Sequence, residues 1–383
     1  MAALTEEQSM LKDQATAWVR EQSPVQKFRE MRDRGEALAF TPATWEAMVD
    51  MGWTGILIPE AYGGSDLGYL TFGVVLEQLG RQLTASPLFA SALVGASAVL
   101  LGGSESQKQK LLPAVVKGAE ILTLAADEGP RHAPAAIGLK AEKSGGGFKL
   151  TGTKTFVAEG MAATTFIVAA RTSGAPGSAE PGSLNGLTLF LVPAETAGIS
   201  RTRLATVDSR GYANLAFEGV QVGAEAVLGS VDGGGPLLEQ VLDRARAGLS
   251  AEMLGTAAQA FDMTLDYLKT REQFGRVIGS FQALGHRAAM LFTSMELARS
   301  CAEAALQGID AGRDDVPELC SLAKCRVGDF LHEMSNQLIQ IHGGIGMTDE
   351  FDAGFYLKRA RVLESLYGNQ AYHRDRYARL LGF

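Results

Sequence analysis

From Leu237 to Lys269 the chain reads as one helix of more than 30 residues, far beyond the mean of about 11–12 for globular proteins. Such length suits a bundle whose helices run past one another and across a subunit interface. The pattern predicts a C-terminal helical bundle over 229–383, opening after Gly233-Gly234-Gly235 and Pro236.

Two regions of different character precede it. Residues 4 to about 120 read as helical: Leu11, Ala15, Trp18 and Val19 form an apolar stripe at helical spacing, and Thr41-Pro42 ahead of Trp45, Met48 and Val49 reads as a cap with proline in the first turn. Gly63-Gly64 interrupts before an apolar helix from Leu70 to Leu83, and Pro87 and Pro113 punctuate the rest. Near Ile121 the pattern changes to short β-branched and apolar runs between glycine-rich turns, among them GFKLTGTKTFV, TTFIVAARTS and GLTLFLVP. These predict a small β-sandwich or barrel. The segment at 173–186 reads as a surface loop. The expected domains are an N-terminal α-helical domain at 1–120, a middle β-domain at 121–228 and the bundle at 229–383.

Composition bounds the function. With 383 residues, 46% of them hydrophobic and 20% charged, the chain can bury a sizeable core. A net charge of −8 without a basic block argues against nucleic acid as the main partner. No apolar run approaches the roughly 18 residues of a membrane span, and the acidic N-terminus MAALTEEQSMLKDQ is not a secretory signal. Cys301, Cys320 and Cys325 have no CxxC spacing, so a reducing, cytoplasmic location is expected. There is no metal-ligand spacing, nucleophile elbow or phosphate-binding P-loop.

The chemistry is expected near Ser335–Tyr372. A helix with Leu331, Met334 and Leu338 on one face breaks at Gly343, Gly344 and Gly346, then an apolar and basic helix resumes. Adjacent glycines between helices serve either as a cap and turn or as backbone that must approach a ligand closely. The run QIHGGIGMT resembles the acyl-CoA dehydrogenases. GWTGILIPEAYGG at 52–64, LTGTKTFVAEG at 150–160 and TREQFGRVIGSFQALGHR at 270–287 resemble the same family, in the same order.

The resemblance implies a helical–β–helical fold ending in a four-helix bundle, a tetramer, bound FAD, an acyl-CoA substrate and electron transfer to an electron-transfer flavoprotein. By the same resemblance Arg271, Phe274 and Gln282 grip the pyrophosphate and adenine end of a neighbouring subunit's FAD, and Gln340, Gly343 and Gly344 lie against that cofactor. Arginine suits the task because its planar fork donates two parallel hydrogen bonds to a phosphate. His342 reads as a packed or solvent-facing residue rather than a catalyst. Arg246 matches an arginine beside the family's active site, and equally suits an ion pair with Asp243.

Other positions depart from the family. Asp127-Glu128-Gly129-Pro130-Arg131-His132-Ala133-Pro134 replaces a stretch that normally contacts flavin and acyl-CoA. Phe156 and Ala158 stand where many relatives carry a tryptophan and a threonine. Phe156 can still cover a ring face, but Ala158 has no hydroxyl to donate. The family's base, a glutamate that removes the α-proton while a hydride leaves the β-carbon, falls on Tyr367, and the alternative position on the long helix falls on Ala245. Glu252 and Glu364 are weak substitutes: Glu252 alternatively satisfies a buried partner, and Glu364 an ion pair with Arg361 or Lys358.

The expected function is therefore flavin-dependent α,β-dehydrogenation of an acyl-CoA, with this chain as the subunit lacking the glutamate. Some bacterial relatives are heterotetramers of two related chains acting on steroid side chains or dicarboxylic acyl-CoAs. The alternatives are a self-sufficient homotetramer with a relocated base, and a catalytically silent acyl-CoA-binding or scaffold protein.

Overall fold

The computed structural model describes residues 4–36, 38–176 and 184–383, so residues 177–183 of the expected loop at 173–186 lie outside the described residues. Among the described residues, no helix is long and apolar enough to cross a membrane.

The N-terminal helices are α1 (Glu6–Gln22), α2 (Val25–Arg34), α3 (Pro42–Asp50), α4 (Gly68–Arg81), α5 (Ala96–Gly102) and α6 (Glu105–Val116). Their starts follow from local chemistry. Thr5 and Ser104 each close a capping box with a glutamine three residues on. Thr41 caps α3 through Thr44 N at 3.1 Å, with Pro42 in the first turn as the sequence predicts. Ala15, Trp18 and Val19 are the buried face of α1.

The middle region is one eight-stranded sheet: β1 (Leu122–Ala125), β2 (Lys140–Ser144), β3 (Gly147–Val157), β4 (Thr165–Arg171), β5 (Leu187–Pro193), β6 (Ile199–Arg203), β7 (Ala213–Gly223) and β8 (Val227–Leu228). The order is β6-β7-β3-β2-β4-β5-β8, with β1 parallel to β4. Although β2 and β4 separate β3 from β5, Phe148 and Phe190 meet edge to face at 5.1 Å. The sheet therefore curls around its own core, which also holds Phe166, Val168, Leu215 and Phe217. Both β6 and β8 escape the hydrophobic pattern. β6 reads ISRTR, carries one apolar residue and lies on the sheet edge.

The C-terminal elements are α7 (Gly234–Thr270), a hairpin of β9 (Glu272–Gln273) and β10 (Arg276–Val277), α8 (Gln282–Asp310), α9 (Val316–His342), a tight turn at Gly343–Met347, α10 (Ala353–Ser365) and α11 (Gln370–Leu380). At 37 residues, α7 is about 55 Å long.

The chain forms two compact units. One comprises residues up to Glu30, Tyr69–Thr84 and Arg246–Phe383, and the other Met31–Gly68 and Ala85–Ala245. In the first, α4 and α7 cross in backbone contact. A Cβ on Gly255 would lie 1.9 Å from the Glu77 carbonyl oxygen, and one on Gly80 would lie 2.2 Å from that of Glu252. Only glycine fits at either position, and the crossing fixes the stretch of α7 that carries Arg246 and Glu252.

Candidate functional site

The turn between α10 and α11 is held from three sides. Tyr367 has φ +54° and Gly368 φ +103°. The latter is crowded, because a Cβ would lie 2.4 Å from the Tyr372 ring and 2.8 Å from His373 Nε2. The Tyr367 carbonyl accepts from Arg246 Nε at 3.3 Å and His373 Nε2 at 3.0 Å. Arg246 is fully buried and also donates to the Tyr372 hydroxyl at 3.3 Å. Burial, together with the charges of Arg246, Lys324 and Arg376, pushes the His373 pKa far below the ordinary imidazole range. The ring is neutral, and its Nδ1 finds no partner among the described residues.

Lys324, buried on α9, donates to the carbonyls of Leu363 at 3.1 Å, Glu364 at 3.1 Å and Gly368 at 3.0 Å. Three fixed acceptors use all three ammonium protons. Burial nevertheless pushes its pKa down to about 7, with Glu364 opposing and Arg246 adding to the shift. Unfolded lysine titrates near 10.4. Between about pH 7 and 10 the unfolded chain thus binds more protons at this site, so folding stability from this group rises with pH there, by up to about 1.4 kcal/mol per unit, and is lost as pH falls through about 7. Lys324→Met is expected to flatten that slope in denaturant titrations at pH 6.5–9.5, and to lower stability by about 1–3 kcal/mol through the carbonyls left unpaired.

The carboxylates offered as substitute bases are both engaged. Glu252 Oε1 accepts from Arg359 Nη2 at 2.6 Å and Nε at 3.2 Å, in a pair whose side chains are 11% and 10% exposed. Glu364 accepts from Arg361, as its spacing predicts, and lies 3.0 Å from His332 Nδ1. Ala245 is buried and offers a methyl group.

The end of α9 and the β9–β10 hairpin present another arrangement. Gly343 has φ +60°, and a Cβ on either Gly343 or Gly344 would meet nothing within 4 Å. Arg271, Gln282 and Gln340 are exposed, and neither the guanidinium nor either side-chain amide has a partner among the described residues. Phe274, at the hairpin tip with φ +56°, is 91% exposed and meets Phe281 edge to face with ring centroids 6.1 Å apart. Phe281 caps α8 without a side-chain bond to its first turn. Free donors, an unpaired cation and two unobstructed glycines fit an anionic dinucleotide.

In the second unit, the Asp127–Pro134 segment is braced by its own side chains. Asp127 lies 3.0 Å from His132 Nδ1. Glu128 accepts from Lys154 Nζ at 2.7 Å, Gly138 N at 2.8 Å and Leu139 N at 2.9 Å. Burial lowers the Lys154 pKa to about 8, against the pull of Glu128. Phe156 has φ +55° and stacks on Tyr212 at 4.3 Å, so one ring face is taken. The Ala158 carbonyl accepts from Thr123 Oγ1 at 2.6 Å. An open cleft of about 840 Å³ in this unit is lined by Ser104, Gln107, Lys143, Phe148 and Glu225, among others, and by none of the candidate residues.

Three candidate positions, Phe156, Phe274 and Tyr367, therefore hold non-glycine residues in the left-handed region, which costs of order 1 kcal/mol or more each. Spacing carries no signal of this. Lys324 was also missed, although a lone lysine among Cys320, Ala323, Val327 and Leu331 on one helix face is a legible sign of a buried cation.

Comparison with known proteins gives the class. The acyl-CoA dehydrogenase N-terminal, middle and C-terminal domain models match residues 5–119, 127–220 and 232–382. The chain belongs to the acyl-CoA dehydrogenase family, the flavin-dependent oxidoreductases of acyl-CoA thioesters, and has their three-part architecture. It is 31% identical over 360 residues to the mitochondrial 2-methylacyl-CoA dehydrogenase of Solanum tuberosum, covering 92% of this chain and 85% of that one. It is 30% identical over 341 residues to acyl-CoA dehydrogenase FadE27 of Mycobacterium tuberculosis, covering 86% and 85%. The crystal structure of the ChsE4-ChsE5 complex from Mycobacterium tuberculosis superposes with a TM-score of 0.89 at 28% identity, over 100% of this chain and 99% of that chain.

Proposed function

We propose that this chain is the subunit of a heteromeric acyl-CoA dehydrogenase that helps hold FAD and acyl-CoA but does not supply the α-proton acceptor. The observation that carries the reading is the state of the carboxylates: Tyr367 and Ala245 occupy the two base positions, Glu252 is held by Arg359 and Glu364 by Arg361. α-Proton removal needs a carboxylate within hydrogen-bond reach and free to accept. A relative's solved complex of two chains, ChsE4-ChsE5, supports the heteromeric part. α8 leaves Met290, Phe292 and Leu297 about half exposed or more, which supports association with another chain of either kind.

In this reading Arg271 donates to the pyrophosphate, Gln282 and Phe274 contact the adenine end, and Gln340, Gly343 and Gly344 give the cofactor close backbone approach. Phe156 offers a ring face to the flavin, and Arg246 holds the substrate side of the Tyr367 turn. FAD, when bound, supplies the two-electron acceptor for the β-hydride. The partner chain supplies the base, and an electron-transfer flavoprotein takes the electrons onward. The test is the visible spectrum of the purified chain reconstituted with FAD and mixed anaerobically with a panel of acyl-CoA thioesters. The oxidised spectrum is expected to persist with every thioester, and bleaching by any of them overturns the reading.

A further inference from the structure

Arg29 sits in the second turn of α2, with its side chain only 14% exposed. Its guanidinium donates through Nη2 to the Asp352 carboxylate at 2.6 Å. Nη1 donates to the Asp349 carboxylate at 3.2 Å and to the Asp349 main-chain carbonyl. The guanidinium carbon lies 4.6 Å from the centre of the Phe355 ring, which Phe28 of α2 meets edge to face at 5.4 Å. One cation therefore gathers two carboxylates, a carbonyl and an aromatic ring from the stretch that leads into α10. A planar guanidinium suits this task, because its donors point in fixed directions while its face stacks on a ring.

The pinned stretch is continuous with the Gly343–Met347 turn. Phe351, between the two aspartates, packs on His342 at 4.6 Å, and His342 stacks on Tyr267 of α7 at 4.2 Å. Thr348 folds back on the turn itself, donating to the Ile345 carbonyl from its main-chain N at 3.1 Å and its hydroxyl at 2.8 Å. The turn is thus closed by His342 at the end of α9 and by Thr348–Asp352 beneath Arg29. Little holds it from within: Ile345 and Met347 are exposed, and Gly343 and Gly344 have open surroundings. Glycine backbone without packing has wide conformational freedom, so the geometry of this turn is set from its two ends.

We propose that Arg29 is a positioning residue: from α2 it holds the Gly343–Gly344 turn in the conformation that receives the cofactor, without itself touching the ligand. This rests on the reading of Gly343 and Gly344 as cofactor contacts and adds to it a residue from a distant element. Arg29→Met keeps the stem beside Phe355 and removes the donors. It strands no buried charge, since the Asp349 and Asp352 side chains are 65% and 38% exposed. The first readout is hydrogen–deuterium exchange of the full-length chain without FAD. Arg29→Met is expected to speed exchange at residues 343–352 about tenfold while α7 and α9 stay protected as in the wild type. The second is titration with FAD followed by flavin fluorescence, where binding is expected to weaken about fivefold, with no further loss when Asp352→Asn is added. A purely structural role would lower the unfolding temperature and spare both readouts. Unchanged exchange at 343–352 overturns the proposal, and so does faster exchange with wild-type FAD affinity, while the cofactor site stands in either case. If the wild-type chain binds no FAD, the reading of the glycine turn falls and the proposal with it.

Discussion

Tyr367→Glu is expected to give the FAD-reconstituted chain an α-proton exchange activity on acyl-CoA thioesters at least about a hundred times that of the wild type, since a positioned general base contributes roughly 10²–10⁴-fold. The expectation follows from how the turn is held. Its main chain is fixed by Arg246 and His373 on the Tyr367 carbonyl and by Lys324 on the carbonyls of Leu363, Glu364 and Gly368, none of which depends on the phenol. The new carboxylate would extend from the same left-handed residue. Tyr367→Gln is the control, similar in length without basicity, and is expected to remain at background. A folded Tyr367→Glu protein that exchanges no faster than Tyr367→Gln would mean that this turn is not where a base can act.

The second large effect concerns stability. Arg359→Ala leaves the Glu252 carboxylate buried on α7 without its guanidinium, and is expected to cost about 3–5 kcal/mol in denaturant titrations at pH 7. Replacing both members, Glu252→Leu with Arg359→Met, is expected to recover most of that loss, because the penalty comes from the stranded charge rather than from the missing contact. A loss below about 1 kcal/mol for Arg359→Ala would mean that Glu252 has access to water, and would return it to consideration as a base.

Much of the fold was legible because the relevant signals are local. The Thr41-Pro42 cap, the buried stripe of α1 and the length of α7 follow from propensity and periodicity. β6 was hidden because an edge strand with one apolar residue has no hydrophobic run to display. At the candidate site, the glycines and Arg271 stand out by residue type and by family resemblance. That Glu252 satisfies a buried partner is one of its two readings from sequence, but which partner is not, since Arg359 lies 107 residues away on α10. Long-range pairing likewise hid the carbonyl cage around Lys324, which joins residues 39 to 44 positions apart. The positive φ of Tyr367, Phe274 and Phe156 is imposed by tertiary context, and no residue preference encodes it.

The proposed role leaves this chain, by itself, without a residue able to take the α-proton. The most direct measurement is the loss of deuterium from an α-deuterated acyl-CoA incubated with the FAD-reconstituted wild-type chain, followed by mass spectrometry from pH 6 to 9. Loss at the rate of buffer alone is expected throughout that range. Faster loss that disappears in Glu252→Gln would contradict it and would assign the base to α7.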